Sequence, residues 1–343
     1  MATPHQSKTS AEHATKQIPV SLARDYITVV GASHMTLMEK VRGQKGNKMR
    51  FINQGIRQLR QYPAATPSDS VQRIFLIFID DYERPLLNAV KGIVEKKYGA
   101  KYRELDNISQ LLDFINLRIR KEREVMQLDM FAHGLVGSIE FGYELSKVDS
   151  YRLRDAQARM LQADAFDMKG KIYSYACRTG LGIQADVMVS KGEDPKYDQS
   201  LAQLIANTTR CSVWAFSRRS NYDQTYGTNH ERASLPDARE RALSDDQAMD
   251  RYERELSQYR QRLQAYRTAS KNPSGQLPDE KPPVSPRPRA TANDRRLLRH
   301  SDSRDKYESS IGWPLDAEGA LNPVRSGDTP SGLPNGMREY RPK

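Results

Sequence analysis

Ile74-Phe75-Leu76-Ile77-Phe78-Ile79 is an unbroken apolar run closed by Asp80-Asp81, with no polar residue alternating inside it. A strand of that composition has no face to turn toward water, so it has to be covered on both sides. This points to a sheet with helices above and below. Four other segments read as strands of the same sheet: residues 26–30, closed by Gly31-Ala32-Ser33-His34; residues 127–132, closed by His133-Gly134; residues 171–176, closed by Cys177; and Ser212-Val213-Trp214-Ala215-Phe216.

Helical patterns fall between these runs. They cover residues 49–60, 85–97, 107–120 and 155–161, and a last one after residue 200 places Leu201, Leu204 and Ile205 on one face. In the third, Ile108, Leu111, Leu112, Ile115 and Ile119 recur at helical spacing. Residues 138–143 alternate like a small exposed ribbon. Strands alternating with helices predict an α/β domain built on a mostly parallel sheet flanked by helices.

The chain has 343 residues, 37% of them hydrophobic, and its apolar runs are concentrated between residues 26 and 216. One α/β domain over residues 20–235 is therefore expected, preceded by a flexible, aperiodic leader at residues 1–19. Beyond it, Met249, Tyr252, Leu256, Tyr259, Leu263 and Tyr266 alternate steps of three and four. That spacing predicts a charged amphipathic helix over residues 236–270, docked onto the domain. Residues 271–343 carry Pro282-Pro283, Pro286-Arg287-Pro288 and frequent Gly and Pro. They read as a linker and an extended tail, which can be ordered only by lying on another surface.

Lys and Arg number 54 against 43 Asp and Glu, a formal net charge of +11. A basic surface attracts polyanions without any specific site. Here the excess is spread between the stretch around Lys40, Arg42, Lys45, Lys48 and Arg50 and the tail around Arg287, Arg289, Arg295, Arg296 and Arg299. No RNA-recognition or zinc-finger pattern accompanies it, so nucleic acid is not expected as the main partner. Two cysteines without metal-ligand spacing fit a reducing compartment, and neither metal nor cofactor is expected. No run approaches the ~18 apolar residues of a membrane span, and residues 1–16 lack the apolar core of a secretory signal. The expectation is a protein of the cytoplasm, or one exported without a cleaved signal peptide.

Ligands and catalytic groups of a parallel α/β sheet gather at the carboxyl ends of the strands. His133 and Cys177 each follow such an end, so neighbouring strands would bring both to one edge. An imidazole beside a thiol can take its proton, or hold a thiolate as an ion pair, and later protonate a leaving amine. Gly134, lacking a Cβ, lets its backbone N–H approach a substrate carbonyl, and with the N–H of Cys177 it could form an oxyanion hole. Taken singly, a buried cysteine is more often a small hydrophobe, which is the reading for Cys211. The segment Gly31-Ala32-Ser33-His34-Met35 lacks the second glycine of a serine-hydrolase elbow, which makes Ser33 a poor nucleophile.

An apolar strand then His133-Gly134, followed by an apolar strand then Ala176-Cys177, resembles the caspase-like cysteine peptidases, including the caspase-like domains of bacteria, over residues 26–216. The resemblance implies a caspase-like three-layer sandwich, a protein or peptide substrate, Cys177 as nucleophile, His133 as general base and acid, and Gly134 as an oxyanion-hole donor. It makes Tyr175, two residues before the nucleophile, a candidate for the specificity pocket; here it is neither an amide nor an acid. By position, Ser33 and His34 after the first strand and Ser217, Arg218 and Arg219 after the last are further candidates. An inward Arg218 or Arg219 would favour acidic substrates. The tail could cover the active-site edge or be cut from it, giving a latent or self-processing chain, and an effector or toxin role fits such a design. Two other readings remain. One is a non-catalytic scaffold with the same fold. The other is a dinucleotide-binding domain, because Gly180-Leu181-Gly182-Ile183-Gln184-Ala185 matches Gly-x-Gly-x-x-Ala after a strand.

Overall fold

The computed structural model describes residues 23–32, 49–68, 70–79, 82–142, 148–222, 234–270, 280–295, 297–298, 315–320 and 322–343. The leader, Ser33 and His34 lie outside the described residues.

Strand β1 (Ala23–Val30) is followed by helix α1 (Met49–Gln61), β2 (Val71–Phe78), α2 (Arg84–Gly92), β3 (Lys101–Leu105), α3 (Ile108–Asn116) and β4 (Arg123–Phe131). A small three-stranded sheet of β5 (His133–Leu135), β6 (Ser138–Glu140) and β7 (Arg152–Leu153) comes next, then α4 (Asp155–Ala158), β8 (Phe166–Ser174), α5 (Leu201–Thr209), β9 (Ser212–Phe216) and β10 (Ser220–Asn221). The long helix α6 (Leu235–Ser270) precedes β11 (Arg325–Ser326) and β12 (Met337–Tyr340). The central sheet has seven strands in the order β12-β9-β8-β4-β1-β2-β3. All neighbours in it are parallel except β12, which runs antiparallel to β9.

The apolar run behaves as its composition demands. Along β2, Ile74, Leu76 and Phe78 enter the core on one side of the sheet, and Phe75 and Ile77 enter the core on the other. Helix α1 covers the second side with Phe51, Ile52, Ile56 and Leu59. Gly55 lets it close down: a Cβ there would stand 2.6 Å from a Val30 methyl and 2.7 Å from the Phe75 ring. Helices α3 and α5 cover the first side through Leu111, Leu112 and Ile115 and through Leu201, Ala202 and Ile205. Both start on side-chain caps, the Asn107 carbonyl accepting from the Gln110 N–H and the Ser200 hydroxyl accepting from the Gln203 N–H. The result is a three-layer α/β arrangement.

Some boundaries differ from the sequence expectation for local reasons. α3 stops at Asn116, four residues early, because a 3-10 turn at Ile119–Lys121 and a left-handed Glu122 (φ 54°) turn the chain into β4. α2 ends at Gly92 and continues as a π-helical turn, Ile93–Lys97. The hydrogen bonds and ion pairs described for α6 run to the Pro-rich stretch after it, in antiparallel order. Arg262 pairs with Glu280, Asp245 accepts from the Arg289 and Ala290 N–H groups, and Arg241 grips Asp294 at 2.7 and 3.0 Å. A proline segment alongside the helix supplies these contacts. Residues 315–320 and 322–343 lie on the domain, with Leu315 and Val324 in the α1-side core and Tyr340 in the other. β12 adds a seventh strand where sequence reading placed only an extended tail. None of the described helices is long and apolar enough to cross a membrane.

Candidate active site

β4 brings its last residue, Phe131, buried like Ala132 after it, to the carboxyl edge of the sheet, and His133 begins β5 immediately beyond. β5 and β6 pair antiparallel, His133 opposite Glu140, Gly134 opposite Ile139 and Leu135 opposite Ser138, around the two-residue turn Val136-Gly137 with Gly137 at φ 75°. In such a hairpin the closing pair exchanges both hydrogen bonds and the next pair exchanges none. The Gly134 N–H therefore turns away from β6. Gly134 itself is pressed against the nucleophile candidate: a Cβ there would lie 2.6 Å from the Cys177 nitrogen and 2.4 Å from its carbonyl oxygen. Only glycine permits that approach.

Cys177 stands three residues past the end of β8, in a turn rather than on the strand. The turn is held from several sides. Ser174 and Thr179 share a hydroxyl hydrogen bond of 2.8 Å, the Gly180 N–H donates to Phe216 O at 2.9 Å, and Tyr340 of β12 donates to the Gly180 carbonyl. Arg178 adopts a left-handed conformation (φ 57°), a cost of about 1 kcal/mol or more that the surroundings must offset. Its N–H bonds Arg218 O at 3.0 Å, and its guanidinium reaches the Ala185 carbonyl at 3.1 Å and Asp186. Among the described residues, the Cys177 N–H has no acceptor.

A cleft of about 330 Å³ opens at this edge, lined by His133 and Cys177 together with Arg50, Phe51, Arg219 and Ser220. Further along, its wall is made by Asn221, Tyr222 and the tail residues Gly327, Asp328 and Thr329. The Cys177 sulfur lies 3.2 Å from the Ser220 N–H and 3.1 Å from the Ser220 hydroxyl. Both can donate to it, and its own S–H reaches toward the Ser220 carbonyl at 3.9 Å. The His133 ring meets Phe51 edge-on at 5.0 Å. Burial, with a smaller push from the Arg50 charge, brings its pKa down to about 3. The imidazole is neutral at ordinary pH, so one ring nitrogen is an acceptor.

Of the residues singled out in the sequence, His133, Cys177 and Arg219 line the cleft, and Gly134 backs it. Tyr175, Ser217 and Arg218 are not among the lining residues. The Tyr175 ring stacks on Phe131 at 4.4 Å and its hydroxyl reaches Asp129, Ser217 is buried, and Arg218 donates to the Leu333 carbonyl. Sequence reasoning missed Ser220, a polar loop residue with no signal in its neighbourhood, and Arg50, which belongs to a helix that reads simply as basic. It also missed Asp129. This carboxyl is fully buried inside β4 and accepts from Tyr62 (2.5 Å), Gln127 (2.8 Å) and Tyr175 (3.4 Å). Burial raises it to about 7, against the pull of those donors. Its position inside an apolar strand, two residues from Gln127, was the one available signal.

The glycines of the Gly-x-Gly-x-x-Ala segment do not face open space. A Cβ on Gly180 would strike the Tyr340 hydroxyl at 2.4 Å, and one on Gly182 the Lys196 carbonyl at 1.9 Å. After Gly182 no α-helix starts until Leu201, so the helix N-terminus that a pyrophosphate would use is missing there. Among the described residues no group of three or more His, Cys, Asp or Glu side chains could hold a metal ion. No protein-family model, curated protein or solved structure matches this chain.

Proposed function

We propose that the chain is a cysteine peptidase of the caspase-like kind, with Cys177 as nucleophile and His133 as its base and acid. The observation that carries this reading is the cleft itself. A thiol contacted by two donors, a neutral imidazole and a glycine backbone pressed against the thiol's own backbone all meet at the carboxyl edge of the sheet.

The chemistry follows from those groups. The Cys177 sulfur attacks the carbonyl carbon of a peptide bond and its proton passes to His133. The carbonyl oxygen becomes an oxyanion held by the N–H groups of Gly134 and Cys177. When the C–N bond breaks, His133 gives its proton to the departing amine and a thioester remains on Cys177. Water then attacks the thioester and yields its proton to His133. The C–S bond breaks to release the carboxylate, and the thiol is regenerated by return of that proton. Arg50 and Arg219 at the cleft favour acidic groups on the substrate.

Cys177→Ala tests the assignment. Hydrolysis of peptides cleaved by the wild-type chain should fall by about 10⁴-fold or more, because nucleophile and base act as a unit. Turnover at the wild-type rate would rule Cys177 out as the nucleophile.

A further inference from the structure

The strands that end at the cleft are not all from the α/β domain. β11 comes from the tail, more than a hundred residues after β10 in sequence, yet the two pair antiparallel beside the thiol, Ser220 opposite Ser326 and Asn221 opposite Arg325. The pairing continues past β11. The Gly327 N–H donates to the Arg219 carbonyl and the Arg219 N–H donates to the Thr329 carbonyl, both at 2.6 Å. Ser220, in the middle of this edge, is the residue whose N–H and hydroxyl contact the Cys177 sulfur. Residues 325–329 thus run as an extended strap along 219–221, and Gly327, Asp328 and Thr329 form a wall of the cleft that holds His133 and Cys177.

The strap is tied down on both sides. Before it, the Asn322 carbonyl accepts from Gln54, the Ala320 N–H donates to Asn53 O, and Val324 is buried. After it, Ser331 exchanges hydrogen bonds with Val187 and Val189, Leu333 is buried, and β12 enters the central sheet. Between these anchors the strap is more open: Arg325 and Asp328 are exposed, and Ser326, Gly327 and Thr329 are half-buried. Its central glycine lies against the edge it pairs with, since a Cβ on Gly327 would come within 2.9 Å of the Arg219 carbonyl.

The geometry points to a backbone-reading site: the edge at Arg219–Asn221 binds an extended polypeptide in antiparallel pairing, and the chain's own strap occupies it in cis. An exposed strand edge adds a peptide strand through main-chain hydrogen bonds, which are indifferent to side-chain identity, while neighbouring pockets select the side chains. The strap meets this requirement with small residues, Ser326 and Gly327, that let its backbone lie close. Its one acidic residue, Asp328, lines the cleft together with Arg50 and Arg219. The folded chain is therefore latent toward other polypeptides, and its ligands are extended, small-residue segments carrying an acidic residue. Because the strap is covalently tethered at both ends, its effective concentration at the edge exceeds that of a free peptide, and a competitor in trans succeeds only once the strap is loosened. This inference rests on Cys177 and His133 being the reacting pair, and its test uses binding and thiol accessibility, which do not require turnover.

Two variants loosen the strap without touching the cleft's reacting groups. Gly327→Pro deletes the N–H that bonds Arg219, and Gly327→Val drives a Cβ into the Arg219 carbonyl. A fluorescent peptide with the sequence of residues 323–331 is titrated into the full-length wild type and into each variant by anisotropy. Iodoacetamide labelling of Cys177 is timed by peptide mass spectrometry, with Cys211 as the internal reference. Thermal melts within a few degrees of wild type show that a variant is folded. The expected result is at least tenfold tighter peptide binding and at least tenfold faster Cys177 labelling in the variants, with the added peptide slowing that labelling again. Equal binding and equal labelling in wild type and in either folded variant would overturn the strap. Faster labelling and tighter binding without any cleavage of the peptide or of other acidic peptides would leave the strap standing and count against the peptidase reading.

Discussion

Cys177 follows the carboxyl end of β8 and Cys211 precedes the amino end of β9, so two adjacent parallel strands carry the chain's two thiols to opposite edges of one sheet. The edges are built differently. At the amino edge a buried carboxylate is paired with two guanidinium groups. Asp25, fully buried, takes Arg118 at 3.1 Å and Arg123 at 2.7 Å, and the Cys211 sulfur sits against the carbonyls of Thr209 and Asp167 with its pKa raised to about 11 by burial. At the carboxyl edge the thiol meets an N–H and a hydroxyl, and a cleft is left open. Two cysteines of the same covalent structure thus stand in different surroundings. Burial holds the proton on the Cys211 sulfur, whereas the Cys177 sulfur borders an open cleft. The strand direction makes the difference, because chain turns at the carboxyl ends leave N–H groups pointing at the site.

The comparison breaks most visibly at the amino edge. Asp25→Ala strands two buried guanidinium groups, a loss of about 3–5 kcal/mol, and should lower the melting temperature by roughly 10 °C. A melt unchanged within 2 °C or so would mean that this edge is not the closed, charge-balanced region described above. At the carboxyl edge the corresponding change tests the proposed peptidase chemistry. Gly134→Ala puts a methyl into the Cys177 backbone and would displace one wall of the proposed oxyanion site, so on that reading kcat on a peptide substrate should drop by about 10²–10³-fold. The Gly134→Ala melting temperature should move less than that of Asp25→Ala; an unaffected kcat would remove Gly134 from the site.

The smallest effect is a matter of sign. His133 is pushed from its ordinary 6.5 down to about 3, so below pH 6.5 the unfolded chain takes up a proton that the folded chain refuses, and stability falls as pH drops toward 3. Asp129 is raised from 3.8 to about 7, so above pH 3.8 only the unfolded chain gives up the proton, and stability falls as pH rises toward 7. Between about pH 4 and 6.5 the two slopes oppose each other, each at most about 1.4 kcal/mol per pH unit. Melting curves across that range should separate them. Asp129→Asn should lose stability with falling pH, and His133→Gln with rising pH. Two variants with the same slope would show that burial does not hold these two groups as described.

Much of this was legible in residue order alone. The apolar run at residues 74–79 required a sheet covered on both faces, and Ile74, Leu76 and Phe78 do enter one core while Phe75 and Ile77 enter the other. The helices capped by Asn107 and Ser200 and the positions of His133, Gly134 and Cys177 beyond their strands were equally local, set by hydrophobic period and turn chemistry. What no local pattern carries is contact between distant segments. Ser220 reaches the Cys177 sulfur across 43 residues, and Tyr340 supports Gly180 across 160. The strap and β12 are short polar or Gly-rich stretches whose strand conformation is imposed by the edges they pair with, since isolated strands of two to four residues have no stability of their own. By itself the sequence determined which strands must be buried and which reactive side chains follow them. Only the tertiary structure decided that one thiol would lie against Ser220 in an open cleft, that the second cysteine would be buried, and that the tail would form a wall of the cleft, because those outcomes depend on strand order and on hydrogen bonds that close long loops.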